Sequence, residues 1–179
     1  AGDPLFAILG ATRQDKGICS PAKRYGWASL MGNTLGNRPQ DIQHSDCVVL
    51  WSLNAVATDV HVLHDVTIAR QRGAKLWVID TYYTETAKLA DEVIIIRPGT
   101  DGAFALGVAH VLVEEGLVYE EFVHQYVQGY EGFRDTVISQ YTPSKVAQIT
   151  GVPEERIIQF ARAYGSAMAP FIRLGSGFS

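Results

Sequence analysis

Asp80 closes a short apolar run, Leu76-Trp77-Val78-Ile79, which begins about 30 residues after a first run, Cys47-Val48-Val49-Leu50-Trp51. A carboxylate ending the second of two buried strands can accept hydrogen bonds from a ribose diol. Thr58 heads a helical pattern that runs to Arg72. The amino end of such a helix offers free N–H groups and partial positive charge to a phosphate. Gly99 allows close backbone approach, and Asp101 can accept from the amino group of a base. Together these residues suggest a nucleotide site. They read equally well as helix caps, with Asp80 and Asp101 capping the segments that follow them, and one residue can do both. No Gly-x-Gly-x-x-Gly loop follows the first strand, which argues against a nicotinamide dehydrogenase.

Cys19 lies in Lys16-Gly17-Ile18-Cys19-Ser20-Pro21-Ala22, a loop leading into a helical stretch. A thiol at a helix amino end favours the thiolate and soft-metal ligation, whereas the bland alternative is a buried, inert cysteine. Cys47, inside the first strand, reads as core. His61 and His64 are three apart and share a helix face, but no third ligand stands at metal-site spacing, so they read as a solvated or packed face. His44, His110 and His124 stand alone.

These residues have to be carried by regular elements. The strands at Cys47–Trp51, Leu76–Ile79 and 93–96 alternate with helical patterns at 58–72, 84–90 and 101–115. Gly73 and Gly116 stop two of these helices. Strand and helix alternating in this way predict an α/β fold: a parallel sheet covered by helices on both faces. Helical patterns follow at 120–128 and 132–140, then after Thr142-Pro143 and Pro153, where Pro sits at the first helical position. Phe171-Ile172-Arg173-Leu174 reads as a returning strand. In an open parallel sheet ligands sit beyond the carboxyl ends of the strands. The residues there are Ser52, Leu53 and Asn54; Asp80, Thr81 and Tyr82; Arg97, Gly99, Thr100 and Asp101; and Gly175, Ser176 and Gly177.

The chain has 179 residues with 47% apolar composition and a net charge of −4. At about 150 residues per domain this is one domain or one plus a fragment. Mild acidity argues against a nucleic-acid surface, and no apolar run reaches the length of a membrane span. Two cysteines exclude a disulfide-dense scaffold. Residues 1–45 are rich in Gly, Asn and Pro and read as a loop-rich segment of a preceding domain. Residues 46–179 read as the sheet domain, with a helical insertion at about 119–168. The chain starts without Met and ends on Gly175-Ser176-Gly177-Phe178-Ser179, which suggests an internal piece of a longer protein.

The strings Asp46-Cys-Val-Val-Leu-Trp-Ser-Leu-Asn54, Arg72-Gly-Ala-Lys-Leu-Trp-Val-Ile-Asp80, Thr84-Glu-Thr-Ala-Lys-Leu-Ala-Asp91 and Ile96-Arg-Pro-Gly-Thr-Asp101 resemble the molybdopterin guanine dinucleotide oxidoreductases. These are the dimethyl sulfoxide reductase, formate dehydrogenase and nitrate reductase type. The likeness continues through Ala109–Leu117, Tyr141-Thr-Pro143, Ile149–Pro153 and Ala161–Tyr164, in family order over nearly the whole chain. The resemblance implies a Rossmann-like domain that binds the guanosine end of one of two pterin cofactors holding molybdenum or tungsten. It puts Leu53 and Asn54 in the first cofactor loop and Asp80, Thr81 and Tyr82 at the guanosine. Ile96, Gly99 and Asp101 line the guanine pocket on this reading, and Ser176 and Gly177 form a late turn near the pterin. It makes Cys19 the metal ligand, with Gly26, Gly32 and Asn33 at the family spacing and Ser20 the alternative ligand. The family commonly reads Asp-Pro-Arg where Asp80-Thr81-Tyr82 stands, and Gly-x-Asn-Pro where Ser52-Leu53-Asn54-Ala55 stands. Tyr82 can stack on or hydrogen-bond the guanosine but supplies no fixed charge.

The resulting expectation is an inactive slice of a catalytic subunit. Its partners are the remaining domains of the parent subunit and electron-transfer subunits, and any iron–sulfur cluster belongs to the parent, outside this chain. The alternative is a stand-alone, non-catalytic module that binds a nucleotide or a partner protein.

Overall fold

The computed structural model describes residues 3–12, 17–32 and 36–175, and these fall into two units. In the first, residues 1–36, two helices form: α1 (Asp3–Ile8) and α2 (Cys19–Met31). Helix α2 matches the helical stretch that the sequence allows from Pro21 to Met31, whereas α1 falls where a loop is expected. Ala22, Lys23, Arg24, Ala28, Leu30 and Met31 are good helix formers, and Pro21 sits in the first turn of α2, where its missing N–H costs nothing. No residue of α1 or α2 is buried.

The second unit runs from Asn37. A 3-10 turn, Pro39–His44, opens it. Ile42 of that turn is fully buried, and Gln43 Nε2 donates to Asp65 Oδ1 at 2.7 Å. Residues 39–44 therefore pack with the sheet. Four strands follow among the described residues: β1 (Cys47–Trp51), β2 (Lys75–Asp80), β3 (Glu92–Ile95) and β4 (Pro170–Leu174). They form one parallel sheet in the order β3-β2-β1-β4. Val49 lies opposite both Trp77 and Ile172, and Ile79 opposite both Trp51 and Ile94.

Both faces of β1 and β2 are buried, so the strands read as unbroken apolar runs rather than alternating ones. Cys47, Val49, Trp51, Trp77 and Ile79 face α5 (Asp101–Glu114) and α9 (Glu154–Gly165) through Phe104, Val108, Ile157 and Phe160. Trp51 meets Phe104 edge-on at 5.5 Å, and Trp77 meets Phe160 at 5.2 Å. Val48, Leu50, Leu76, Val78 and Phe171 face α4 (Val60–Gln71) through Val62, Val66 and Ala69. The expected α/β sheet with helices on both faces is what the structure has.

The helix expected from Thr58 is instead divided into a short α3 (Ala55–Thr58) and α4. Asp59 lies between them at φ −150°, ψ 58°, which no helix accommodates. Thr58 does not cap α4; its hydroxyl donates to Asn54 O within α3. The segment expected as a helix at 84–90 tightens to a 3-10 turn, Ala87–Leu89. Between α5 and α9 lie α6 (Glu120–Tyr126), α7 (Tyr130–Gln140) and α8 (Pro143–Thr150). Thr142 Oγ1 accepts from Lys145 N with Pro143 at the first position of α8, as its sequence predicts.

Candidate functional site

The carboxyl ends of the strands are laced together by main-chain bonds. Ser52, just past β1, has φ 51°, and its N–H donates to Ile79 O at 2.8 Å. Gly175, just past β4, donates its N–H to Trp51 O at 2.8 Å. A Cβ on Gly175 would stand 1.8 Å from Ser52 O, so only glycine lets these two strand ends meet. Beyond β2, Ile96 N donates to Asp80 O at 3.0 Å.

Asp101 is fully buried at the start of α5. Its Oδ1 accepts from Trp51 Nε1 at 2.7 Å and from Ser52 Oγ at 3.3 Å. Its Oδ2 is buried without a hydrogen-bond partner among the described residues. Such an oxygen carries an unpaid desolvation cost and marks a place where a donor would be welcome. Asp101 therefore links α5 to the exit of β1 rather than capping its own helix.

Asn54 is held by a residue that the sequence reading did not single out. Its Oδ1 accepts from Thr86 Oγ1 at 2.8 Å, and Thr86 Oγ1 accepts from Val56 N at 3.1 Å. Thr86 lies in a segment that reads simply as a helix, so no spacing signal points to it. Asp80 is buried, with Oδ1 accepting from Thr81 N at 2.7 Å. Leu53 and Ile96 are core residues on opposite faces of the sheet. Tyr82 is 60% exposed. Gly99 has φ 77° and open space where a Cβ would be.

Arg97 anchors the loop that carries Gly99. Its N–H donates to Thr150 O at 2.9 Å, and its Nη1 donates to Gln148 O at 2.7 Å, at the carboxyl end of α8. A hollow of about 350 Å³ opens beside it, lined by Thr81, Ile95, Ile96, Arg97, Pro98 and Thr150. Thus Thr81 and Ile96 share one hollow. Asn54, Asp80 and Asp101 all stand on the carboxyl rim, but no hydrogen bond among the described residues joins them. Asn54 is tied to Thr86, and Asp101 to Trp51 and Ser52. Ser176, Gly177 and Asn33 lie outside the described residues. Cys19 is the first residue of α2, exposed, with its Sγ 3.9 Å from Ser20 Oγ. Among the described residues no group of three or more His, Cys, Asp or Glu side chains could hold a metal ion. No helix among them is long and apolar enough to cross a membrane.

A larger hollow, about 480 Å³, lies at the opposite, amino ends of the strands. Its acids do structural work. Asp46 accepts from Met168 N at 2.8 Å and Ala169 N at 3.0 Å, and Asp91 accepts from Leu76 N and Arg70 at 2.8 Å. Burial pulls both carboxyls upward, but the amide donors, with Arg70 at Asp91, outweigh it and hold both below the ordinary value. Cys47, beside that hollow, has its thiol pushed up to about 11 by burial and by the Asp46 charge. The unpartnered acceptor, Asp101 Oδ2, lies instead at the carboxyl rim.

A model of the molybdopterin oxidoreductase family matches residues 4–179. The chain belongs to the molybdopterin oxidoreductase family. Among the relatives of this molybdopterin oxidoreductase chain is the probable oxidoreductase YoaE of Bacillus subtilis, 41% identical over 173 residues, covering 97% of this chain and 25% of that protein. Another is the F420-dependent formate dehydrogenase 1 subunit alpha of Methanococcus maripaludis, 38% identical over 136 residues, covering 76% of this chain and 20% of that one. The dimethyl sulfoxide reductase DmsA of Escherichia coli is 36% identical over 175 residues, covering 85% and 21%. The solved acetylene hydratase of Pelobacter acetylenicus superposes with a TM-score of 0.70 and 29% identity, covering 78% of this chain and 20% of that one. The chain thus spans a fifth to a quarter of the length of these relatives.

Proposed function

We propose that the carboxyl rim of the sheet holds the guanosine end of a molybdopterin guanine dinucleotide within a larger catalytic subunit. The observation that carries this reading is the buried Asp101 Oδ2, an acceptor with no partner, beside strand ends that only Gly175 allows to converge. Guanine offers N–H donors on one edge, and ribose offers two hydroxyls. The rim answers with acceptors at Asp80 and Asp101, with Asn54 and Thr81 beside them, and with a backbone at Gly99 that is open to close approach. Leu53 and Ile96 supply apolar walls, and exposed Tyr82 a surface for stacking. Ser176 and Gly177 would serve the pterin end on the family resemblance.

The bound group supplies a molybdenum or tungsten centre for two-electron oxidation–reduction or oxygen-atom transfer. Cys19, an exposed thiol at the amino end of α2, is the metal ligand on this reading, with Ser20 the alternative. The remaining domains of the parent subunit would supply the other contacts to the cofactor, and electron-transfer subunits the electrons. An iron–sulfur cluster, where the parent has one, would lie outside this chain. The 179-residue chain alone turns over no substrate.

Calorimetric titration of the chain tests this. Half a cofactor site binds guanosine diphosphate weakly, near millimolar, and adenosine diphosphate at least about tenfold more weakly. Equal affinity for the two nucleotides refutes the guanosine reading, and nanomolar affinity refutes the half-site. In the parent subunit, Cys19→Ala abolishes metal content; unchanged metal content and turnover removes the ligand assignment.

A further inference from the structure

We propose that Thr86 is a positioning residue that locks the side-chain amide of Asn54, so that Asn54 Nδ2 faces the rim as a hydrogen-bond donor to an oxygen of the bound nucleotide. The ligand half of this inference rests on the guanosine reading above; the orientation half rests on the free chain.

Thr86 is fully buried, and its hydroxyl has one hydrogen to give. Val56 N–H donates into Oγ1 at 3.1 Å, so that hydrogen goes to Asn54 Oδ1, 2.8 Å away. Turning the amide over would set Nδ2 against Oγ1. The hydroxyl would then accept two N–H groups, and its own hydrogen would be stranded in a dry site, at the cost of an unmade hydrogen bond. The orientation is therefore decided by Thr86. Its place is fixed in turn by Thr84, whose Oγ1 accepts from Ala87 N at 3.1 Å and ties off the 3-10 turn, leaving Thr86 to face Asn54. Asn54 Nδ2 makes no hydrogen bond among the described residues, and it is not among the buried unpartnered atoms, so the nitrogen keeps some access to solvent. A group held in this way presents donors only. What it recognises is an acceptor oxygen, of a phosphate or of the nucleoside.

The test follows the Asn54 side-chain NH2 resonances of the isotopically labelled chain. Thr86→Val keeps the shape and removes the hydroxyl. We expect the free-chain Asn54 NH2 signals to move and broaden while the β1 amides hold their positions, and Thr86→Ser to restore them. Unmoved signals in Thr86→Val, or no restoration in Thr86→Ser, overturn the positioning role. Asn54→Asp keeps an acceptor for Thr86 and replaces the donor with an oxygen. Guanosine diphosphate affinity should then fall about tenfold with stability kept; unchanged affinity overturns the donor role. Guanosine in parallel separates the sources: a phosphate acceptor leaves the Asn54 signals unmoved by guanosine, and a nucleoside acceptor moves them. If neither ligand moves them while both shift other rim amides, the donor role is wrong and the guanosine reading stands. If neither ligand binds the native chain, the guanosine reading and the donor role fail together, and the free-chain signals still decide the positioning role.

Discussion

Replacing Gly175 with alanine is the sharpest perturbation of the rim. The added Cβ would lie 1.8 Å from Ser52 O and 2.6 Å from Ser52 C, both backbone atoms that no rotamer change can clear. A relaxed carbon–oxygen contact is about 3.3 Å, so the ends of β1 and β4 must part by about 1.5 Å. That stretches the 2.8 Å bond from Gly175 N to Trp51 O beyond hydrogen-bonding range. Overpacking costs about 1–3 kcal/mol and the unmade main-chain bond about 1–3 more, for a total of about 2–6 kcal/mol. At this chain length, Tm should fall by roughly 5–20 °C in scanning calorimetry. Gly99→Ala is the control. Its φ of 77° strains an alanine, but nothing stands within 4 Å of the new methyl group, so the loss should stay near 1 kcal/mol. A Gly175→Ala loss below about 0.5 kcal/mol, or one no larger than that of Gly99→Ala, would show that the strand ends are not pinned as described.

Asp101→Asn keeps an acceptor for Trp51 Nε1 but puts two N–H donors where the unpartnered acceptor stands; stability by urea titration should fall by about 1–3 kcal/mol and guanosine diphosphate affinity about tenfold, and unchanged affinity would contradict the site role. Asp46 and Asp91 have folded-state values below the ordinary 3.8, so their contribution is present above that value and is lost as pH falls through the folded values. The urea midpoint should decline below about pH 4, and Asp91→Asn should flatten that decline; an equal slope in both proteins would remove Asp91 as its source. Cys47, with its thiol pushed up to about 11 and its side chain buried, should resist a disulfide reagent at pH 8 while exposed Cys19 reacts. One thiol per native chain and two in denaturant is the expected count, and two in the native state would contradict the buried placement of Cys47.

The sheet was legible because its strands are short, continuous apolar runs. The apolar runs coincide with Cys47–Trp51 at both ends and with Lys75–Asp80 and Glu92–Ile95 to within a residue. The molybdopterin oxidoreductase family was legible because several motifs stand in order along the whole chain. What failed to show was local backbone detail. The pattern from Thr58 to Arg72 looks continuous, yet Asp59 breaks it, because a single φ/ψ excursion leaves the apolar spacing of Val62, Val66 and Ala69 intact. The helical stretch of α1 carries no amphipathic signal, since none of its residues is buried. At the site, the rim positions of Asn54, Asp80 and Asp101 followed from strand ends alone, whereas their partners did not. Trp51 as a donor, Thr86 as an orienting hydroxyl and Gly175 as a point of closest approach depend on contacts between residues 32 to 123 positions apart. Spacing along a chain cannot encode such contacts.

The most direct test of the proposal that the rim holds guanosine is amide chemical-shift mapping of the chain with guanosine diphosphate and, separately, adenosine diphosphate. Shifts confined to Ser52–Asn54, Asp80–Tyr82 and Gly99–Asp101, and much stronger with the guanosine nucleotide, are the result expected. Shifts that gather instead around Asp46, Lys75 and Asp91 at the amino ends of the strands, or that do not distinguish the two bases, would contradict it.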